Sequence, residues 1–181
     1  MKSKSFDLEK AKAVILYTLS KLENKDFLHV FKVMYFAEQE HLVSYGSPIT
    51  EDSYVAMRNG PVPSILYDLF KAIRGDGFRS REAEDFYAAF KVNGNYIIEA
   101  LQAPELDYLS QSEIKCLDSS IHKNGNLPNG ELIEKSHDAA WKQASPNNEI
   151  GIIAMAMAGG ADEDAVSYIN EYFENQQIVI C

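Results

Sequence analysis

Two Glu-x-x-His tetrads hold the side chains of this sequence best suited to metal chemistry: Glu38-Gln39-Glu40-His41 and Glu134-Lys135-Ser136-His137. Residues i and i+3 share one helix face. Carboxylate di-metal bundles take two such pairs, with further glutamates from two other helices. The first tetrad falls in a long apolar helix pattern, where a histidine also serves as a partly buried helix residue. The second falls in a short polar stretch, where His137 also fits as a turn cap or brace. The structural reading is preferred, and a di-metal carboxylate protein stands as the alternative.

Other reactive types lack their partners. Ser112-Glu113-Ile114-Lys115 matches S-x-x-K without the accompanying SDN and KTG elements, so Ser112 reads as an early helix residue or cap. Cys116 with His122 or His137 would make a thiol dyad, but no signature surrounds it. With Leu117 and Ile121 it fits the apolar face of a helix. Asp162-Glu163-Asp164 has neither the alternating ligands nor the distal glutamate of a calcium loop. There is no P-loop, no GxGxxG and no GxSxG. The expectation is a non-enzyme with no catalytic residue, no cofactor and no metal.

The elements that would position these residues follow from periodicity. Phe6–Leu22 reads as a helix with Asp7 at its N-cap and Leu8, Ile15, Leu19 and Leu22 at helical spacing. Asn24-Lys25-Asp26 turns the chain. A second helix over Phe27–Tyr45 is apolar on most sides and therefore central. Gly46 ends it, with Pro48 just beyond. Ser53–Arg58 alternates like a strand, Asn59-Gly60-Pro61 turns, and Pro63 opens a helix over Ser64–Ile73. Arg74–Asp85 reads as an exposed loop. Phe86–Val92 and Asn95–Leu101 flank Asn93-Gly94, a type I′ hairpin signal, and the 53–58 strand would complete a small antiparallel sheet. Helices return from Ser110 or Ser112 to Asn124-Gly125, over Asn129–Lys135 and Asp138–Ala144, along the apolar Ile150–Ala158, and over Asp162–Asn175 with its acidic first turn. The apolar ending Ile178–Cys181 reads as docked. The fold class is mainly α (α+β): one helical domain over residues 1–181 with a small antiparallel sheet.

Composition narrows the partners. The chain has 181 residues, 46% of them hydrophobic, enough to bury a sizeable core. A net charge of −10, from 17 basic and 27 acidic residues, makes nucleic acid an unlikely partner. The basic arm Lys2–Lys4 and the group Arg74, Arg79 and Arg81 are the places where a small basic patch would lie. Two cysteines without a CxxC pair point to a reduced, cytoplasmic protein rather than a secreted disulfide scaffold. No apolar run spans a bilayer and no signal peptide is visible, so no membrane partner is expected.

A third class of feature remains once catalysis is set aside. Lys32-Val33-Met34-Tyr35-Phe36-Ala37 is followed by His41-Leu42, then Tyr45-Gly46-x-Pro48, Asp52, Tyr54-x-Ala56, Gly60-Pro61-Val62 and Leu66-Tyr67. A weaker echo follows in Ser136-His137 and Trp141. In order and spacing this set resembles the Panacea domain, the SocA-like antitoxin domain of a phage-associated family. Val33-Met34 stands where a leucine pair is common, and His29 near a position often Leu or Lys. Both changes keep the apolar face.

The resemblance implies a mostly helical domain with a small sheet. It implies an antitoxin that binds and neutralises a toxin encoded beside it, by covering the toxin or by presenting it to a protease as an adaptor. A transcriptional regulator is a further alternative, disfavoured by the charge and by the lack of a clear helix-turn-helix. The motif and candidate partner-binding residues are Lys32, Tyr35, Phe36, His41, Tyr45, Gly46, Gly60, Pro61, Val62, Tyr67, His137 and Trp141. The toxin's identity, the binding face and the oligomeric state do not follow from the sequence.

Overall fold

Helix α2, Phe27–Tyr45, is the organising element of the fold, and its sequence explains why. Apolar residues fall on nearly every side, so it is buried over most of its length. Asp26 caps it by accepting from the His29 amide at 2.8 Å. Gly46, at φ +71°, ends it in the left-handed conformation, with its amide donating to the Leu42 carbonyl. The structure, a computed structural model, describes residues 6–178.

Helix α1 (Leu8–Lys21) precedes α2, and α3 (Ser64–Arg74), α4 (Glu84–Ala89), α5 (Gln111–Asn124), α6 (Asn129–Ser136), α7 (Ala139–Gln143), α8 (Ile152–Ala158) and α9 (Glu163–Ile178) follow it. Two antiparallel two-stranded sheets complete the described residues: β1 (Tyr54–Met57) with β2 (Gly60–Pro63), and β3 (Phe90–Asn93) with β4 (Ile97–Ala100). The protein is mainly α with small β hairpins. No helix among the described residues is long and apolar enough to cross a membrane. One core cluster joins α2 to α1, α3, α4 and α5 through Ile15, Leu19, Phe31, Phe70, Phe86 and Leu117. The other lies toward α7, α8 and α9 and contains Tyr35, Leu42, Tyr54, Met155 and Ile169.

Three strand expectations need correction. The 53–58 strand does not join the later hairpin. The two-residue turn Arg58-Asn59 folds the chain back so that β2 pairs with β1, Val55 opposite Val62 and Met57 opposite Gly60. The other edge of β1 is also taken. Ala56 donates to the Asn148 carbonyl at 2.9 Å, and Ile150 donates to the Tyr54 carbonyl at 2.7 Å. With both edges used, β1 has no side left for β3–β4. Pro61 and Pro63 give β2 no amide at alternate positions, which confines it to an edge.

Second, Phe86 and Tyr87 lie in α4, not in a strand. Ala83, Phe86, Tyr87 and Phe90 are buried at i, i+3, i+4 and i+7, a helical period read as alternation. Third, the β3–β4 loop has three residues, since Asn93 pairs with Ile97. Gly94 alone takes positive φ there, +58°, so the type I′ assignment of Asn93-Gly94 fails while the hairpin stands. Within the expected 74–85 loop, Arg81–Ala83 forms a 3-10 turn. The expected docking of Ile178–Cys181 and the Lys2–Lys4 arm lie outside the described residues or side chains.

Candidate functional groove

The charged side chain that α2 buries most completely without a partner is Lys32. It is 1% exposed on a helix too apolar to turn it outward. Its stem runs against Gly60 at the start of β2. A Cβ on Gly60 would lie 2.9 Å from Lys32 Cε and 3.0 Å from Nζ, and it would strike Ser136 Oγ. Gly60 also sits at φ +103°, a conformation that L side chains rarely adopt. Two independent requirements therefore fix this glycine: the backbone turn after Arg58-Asn59 and the close approach of Lys32 and Ser136.

Among the described residues Lys32 Nζ has no ion-pair or hydrogen-bond partner. Burial pushes its pKa down to about 8, and the charge of Asp26 only partly offsets this. Asp26 itself is engaged: one carboxylate oxygen accepts from the His29 amide, the other from Asn129 Nδ2 at 2.8 Å.

Lys32 opens on a groove of about 850 Å³. Its apolar surface comes from Phe27, Phe31, Val62, Tyr67 and Tyr96, and Arg58 and Asn59 stand at its β1–β2 end. The β3–β4 loop forms another wall and is held in place. Phe27 donates its amide to the Tyr96 carbonyl at 3.0 Å, and Arg74 donates to the Asn95 carbonyl at 2.9 Å. The Arg74 guanidinium lies 5.6 Å from the centre of the Phe27 ring and 5.5 Å from that of Tyr96. A second cavity of about 480 Å³ adjoins, bordered by Trp141 and Lys142 and sharing Met57, Arg58 and Asn147 with the first. Asn147 holds a left-handed backbone at φ +61°, rare for a residue with a side chain.

His137 and Trp141 sit behind this junction. Their rings stack at 3.8 Å between centres, and Trp141 Nε1 donates to the Met57 carbonyl at 2.9 Å. His137 Nε2 is buried with no hydrogen-bond partner. Its pKa is held below the usual histidine value by burial and by the nearby Lys32 charge, against a hydrogen bond to the Arg58 backbone. The tetrad residue His137 is thus drawn into the Lys32–Arg58 neighbourhood.

His41, its counterpart, is elsewhere and occupied. Its Nδ1 lies 2.6 Å from the Ser47 carbonyl and its Nε2 3.1 Å from Ser112 Oγ. Glu38 accepts from the Ile49 amide at 2.6 Å, the Thr50 amide at 2.9 Å and the Thr50 hydroxyl at 2.5 Å. The two tetrads therefore do not converge. Among the described residues no group of three or more His, Cys, Asp or Glu could hold a metal ion. Burial pushes the Cys116 thiol up to about 11, which keeps it protonated and inert at neutral pH.

The predicted residues fall into three places. Lys32, Gly60, Val62 and Tyr67 meet at the groove, with buried Pro61 in the same strand and His137 and Trp141 adjoining. Tyr35 and Phe36 belong to the packing behind it: Tyr35 is wholly buried and donates to Asp138 Oδ2 at 3.0 Å, and Lys135 Nζ stands 4.9 Å above the Phe36 ring. Tyr45 and Gly46 line a smaller cavity of about 410 Å³ near Tyr168, whose ring a Cβ on Gly46 would strike. Sequence reasoning missed Arg58, Asn59, Tyr96 and Asn147. Arg58-Asn59 was legible as the dipeptide beside the special glycine, but the approach of the β3–β4 loop had no local signal.

No curated protein and no solved structure matches the chain. Residues 30–142 match the family model described as "Antitoxin SocA-like, Panacea domain". That span runs from just before Lys32 to just after Trp141 and covers more than half of the sequence, so the chain belongs to the SocA-like Panacea antitoxin family.

Proposed function

We infer that this protein is an antitoxin that neutralises a toxin protein, encoded beside it, through direct contact. The observation that carries this reading is the convergence of separated family-motif residues. Lys32, Gly60, Val62 and Tyr67 line or border one solvent-open groove, and Ser136, His137 and Trp141 pack against its junction with a second cavity. A groove with aromatic and aliphatic walls and a few cations suits a protein partner, since buried aromatics are the usual anchors of such interfaces. The chemistry argues in the same direction: the reactive candidates His41, Glu38 and Cys116 are each committed to bracing or packing.

Steric cover of the toxin is the simpler mode for a groove held by a rigid helix and two short hairpins. Delivery of the toxin to a protease would need a second surface. The test is to express the adjacent reading frame alone and together with this protein, then to purify through a tag on either chain. Growth arrest relieved by co-expression, with both chains recovered together, supports the reading. Relief of arrest without recovery of a complex, or no toxicity from the neighbour, overturns it.

A further inference from the structure

We propose that the two adjoining cavities form one binding channel for an extended, acidic segment of a protein partner, whose aspartate or glutamate side chain pairs with Lys32 Nζ. The inference borrows from the direct-contact reading only the identity of that partner as a toxin.

Four observations carry it. Lys32 is 1% exposed, lines the larger cavity and has no ion-pair or hydrogen-bond partner among the described residues, so the fold holds a cation that the Asp26 charge offsets only in part. Such a charge is costly to bury alone and strongly favours a ligand that supplies the opposite sign. The cations extend along the channel. Arg58 borders both cavities and Lys142 the smaller one, on a chain whose net charge is −10. The carboxylate at the larger cavity, Asp26, accepts from the His29 amide and from Asn129 Nδ2, makes no ion pair with Lys32, and offsets its burial only in part.

The shape then selects an extended chain over a compact anion. The cavities share Met57, Arg58 and Asn147, so a segment can run from the Trp141 side to the Tyr67 side. Apolar walls at both ends call for aliphatic or aromatic side chains flanking the acid. An internal carboxylate suits a channel that continues past Lys32 better than a chain terminus does.

The test uses the full chain and two amidated, acetylated pentapeptides, Leu-Val-Glu-Phe-Leu and its Gln counterpart. Backbone amide NMR locates the binding, and fluorescence of Trp141, the only tryptophan, reports on the smaller cavity. The Glu peptide is expected to perturb Arg58, Gly60 and Tyr67 and to bind wild type about tenfold more tightly than the Gln peptide. Lys32→Met should bind both alike. In wild type, without any substitution, the preference for Glu should fade as pH rises past 8, where Lys32 loses its proton. Equal binding of both peptides to wild type, no binding of either, perturbation elsewhere, or a preference for Glu that survives in Lys32→Met or at pH 9.5 overturns the proposal. Loss of peptide discrimination with toxin protection intact rejects the carboxylate channel alone. Intact discrimination with no toxic neighbour rejects the toxin reading alone.

Discussion

Lys32 and Glu38 lie six positions apart on the same helix, both almost wholly buried; burial disfavours the charge of each, but only Glu38 is given hydrogen-bond partners. Glu38 is enclosed by the 49–50 segment, which gives it two amides and a hydroxyl. Nearby, Asp52 accepts the Ile65 and Leu66 amides at 3.0 and 2.9 Å, standing in for the cap that Pro63 cannot provide to α3. Asp138 receives Tyr35, Gln39 and the Trp141 amide. These carboxylates are given hydrogen bonds within the chain, and their work is to fix the long 46–53 connection and the starts of α3 and α7. Lys32, by contrast, lines a groove with no ion-pair partner among the described residues. A buried charge that the fold completes specifies structure. One that it leaves incomplete costs stability unless a ligand supplies the opposite charge.

The contrast can be broken first from its structural side. Glu38→Ala strands two buried amides and the Thr50 hydroxyl, and should cost about 4 kcal/mol of stability, read from urea denaturation with an unchanged slope. A cost below about 1 kcal/mol would mean that the 49–50 segment relaxes and that Glu38 is not its anchor.

Gly60→Ala tests the joint between the two regions. A side chain at φ +103° against Lys32 and Ser136 should cost about 3 kcal/mol, whereas Gly94→Val, strained at φ +58° but in open space, should cost about 1 kcal/mol. Calorimetric melting of both variants checks the order. A smaller effect at Gly60 than at Gly94 would show that Lys32 and Ser136 move aside freely.

The Lys32 side predicts the opposite sign. Removing an uncompensated buried cation with Lys32→Met should raise stability at pH 7 by about 2 kcal/mol. The sign with pH follows from linkage. The folded pKa, about 8, lies below the usual lysine value of 10.5. Between those values the unfolded chain binds the extra proton, so wild-type stability gains with rising pH from about 8 to 10. Above that, Tyr35 and Tyr54, whose pKa values are raised chiefly by burial, act in the reverse direction. In Lys32→Met the gain from 8 to 10 should be absent. A variant less stable than wild type at pH 7 would show that the ammonium is satisfied inside the fold, and the contrast with Glu38 would disappear.

The longer helices were legible because their signals are local, while the six-residue α4 was not. Asp7 and Ser110 open their helices, Gly46 stops α2, and the periods of α2 and α5 are long enough to read; the cap of α2, Asp26, read only as part of a turn. The strands were less so. Whether residues 54–57 pair with 60–63 or with a distant hairpin depends on which edge the 147–150 segment occupies, and nothing within residues 53–63 announces that segment. Phe86-Tyr87 alternates as readily as it spirals over so short a span. At the groove, Gly60 and its neighbours were readable as special backbone, and Lys32 as a motif residue. The meaning of Lys32 was not readable, because an unpaired buried cation is a property of what surrounds it. For the same reason Tyr35 read as a binding anchor in sequence, yet it lies wholly inside the core with its hydroxyl spent on Asp138.

The claim that a toxin is held directly, at the groove around Lys32, is tested most directly by calorimetric titration of the purified neighbour-encoded toxin into wild type, Lys32→Met and Tyr45→Ala at pH 7. Tyr45 lines the separate small cavity and serves as the control. The account predicts binding that weakens about tenfold in Lys32→Met, the loss expected for a charge-assisted contact, and changes little in Tyr45→Ala. No binding to wild type, or Lys32→Met binding as tightly as wild type, would contradict it.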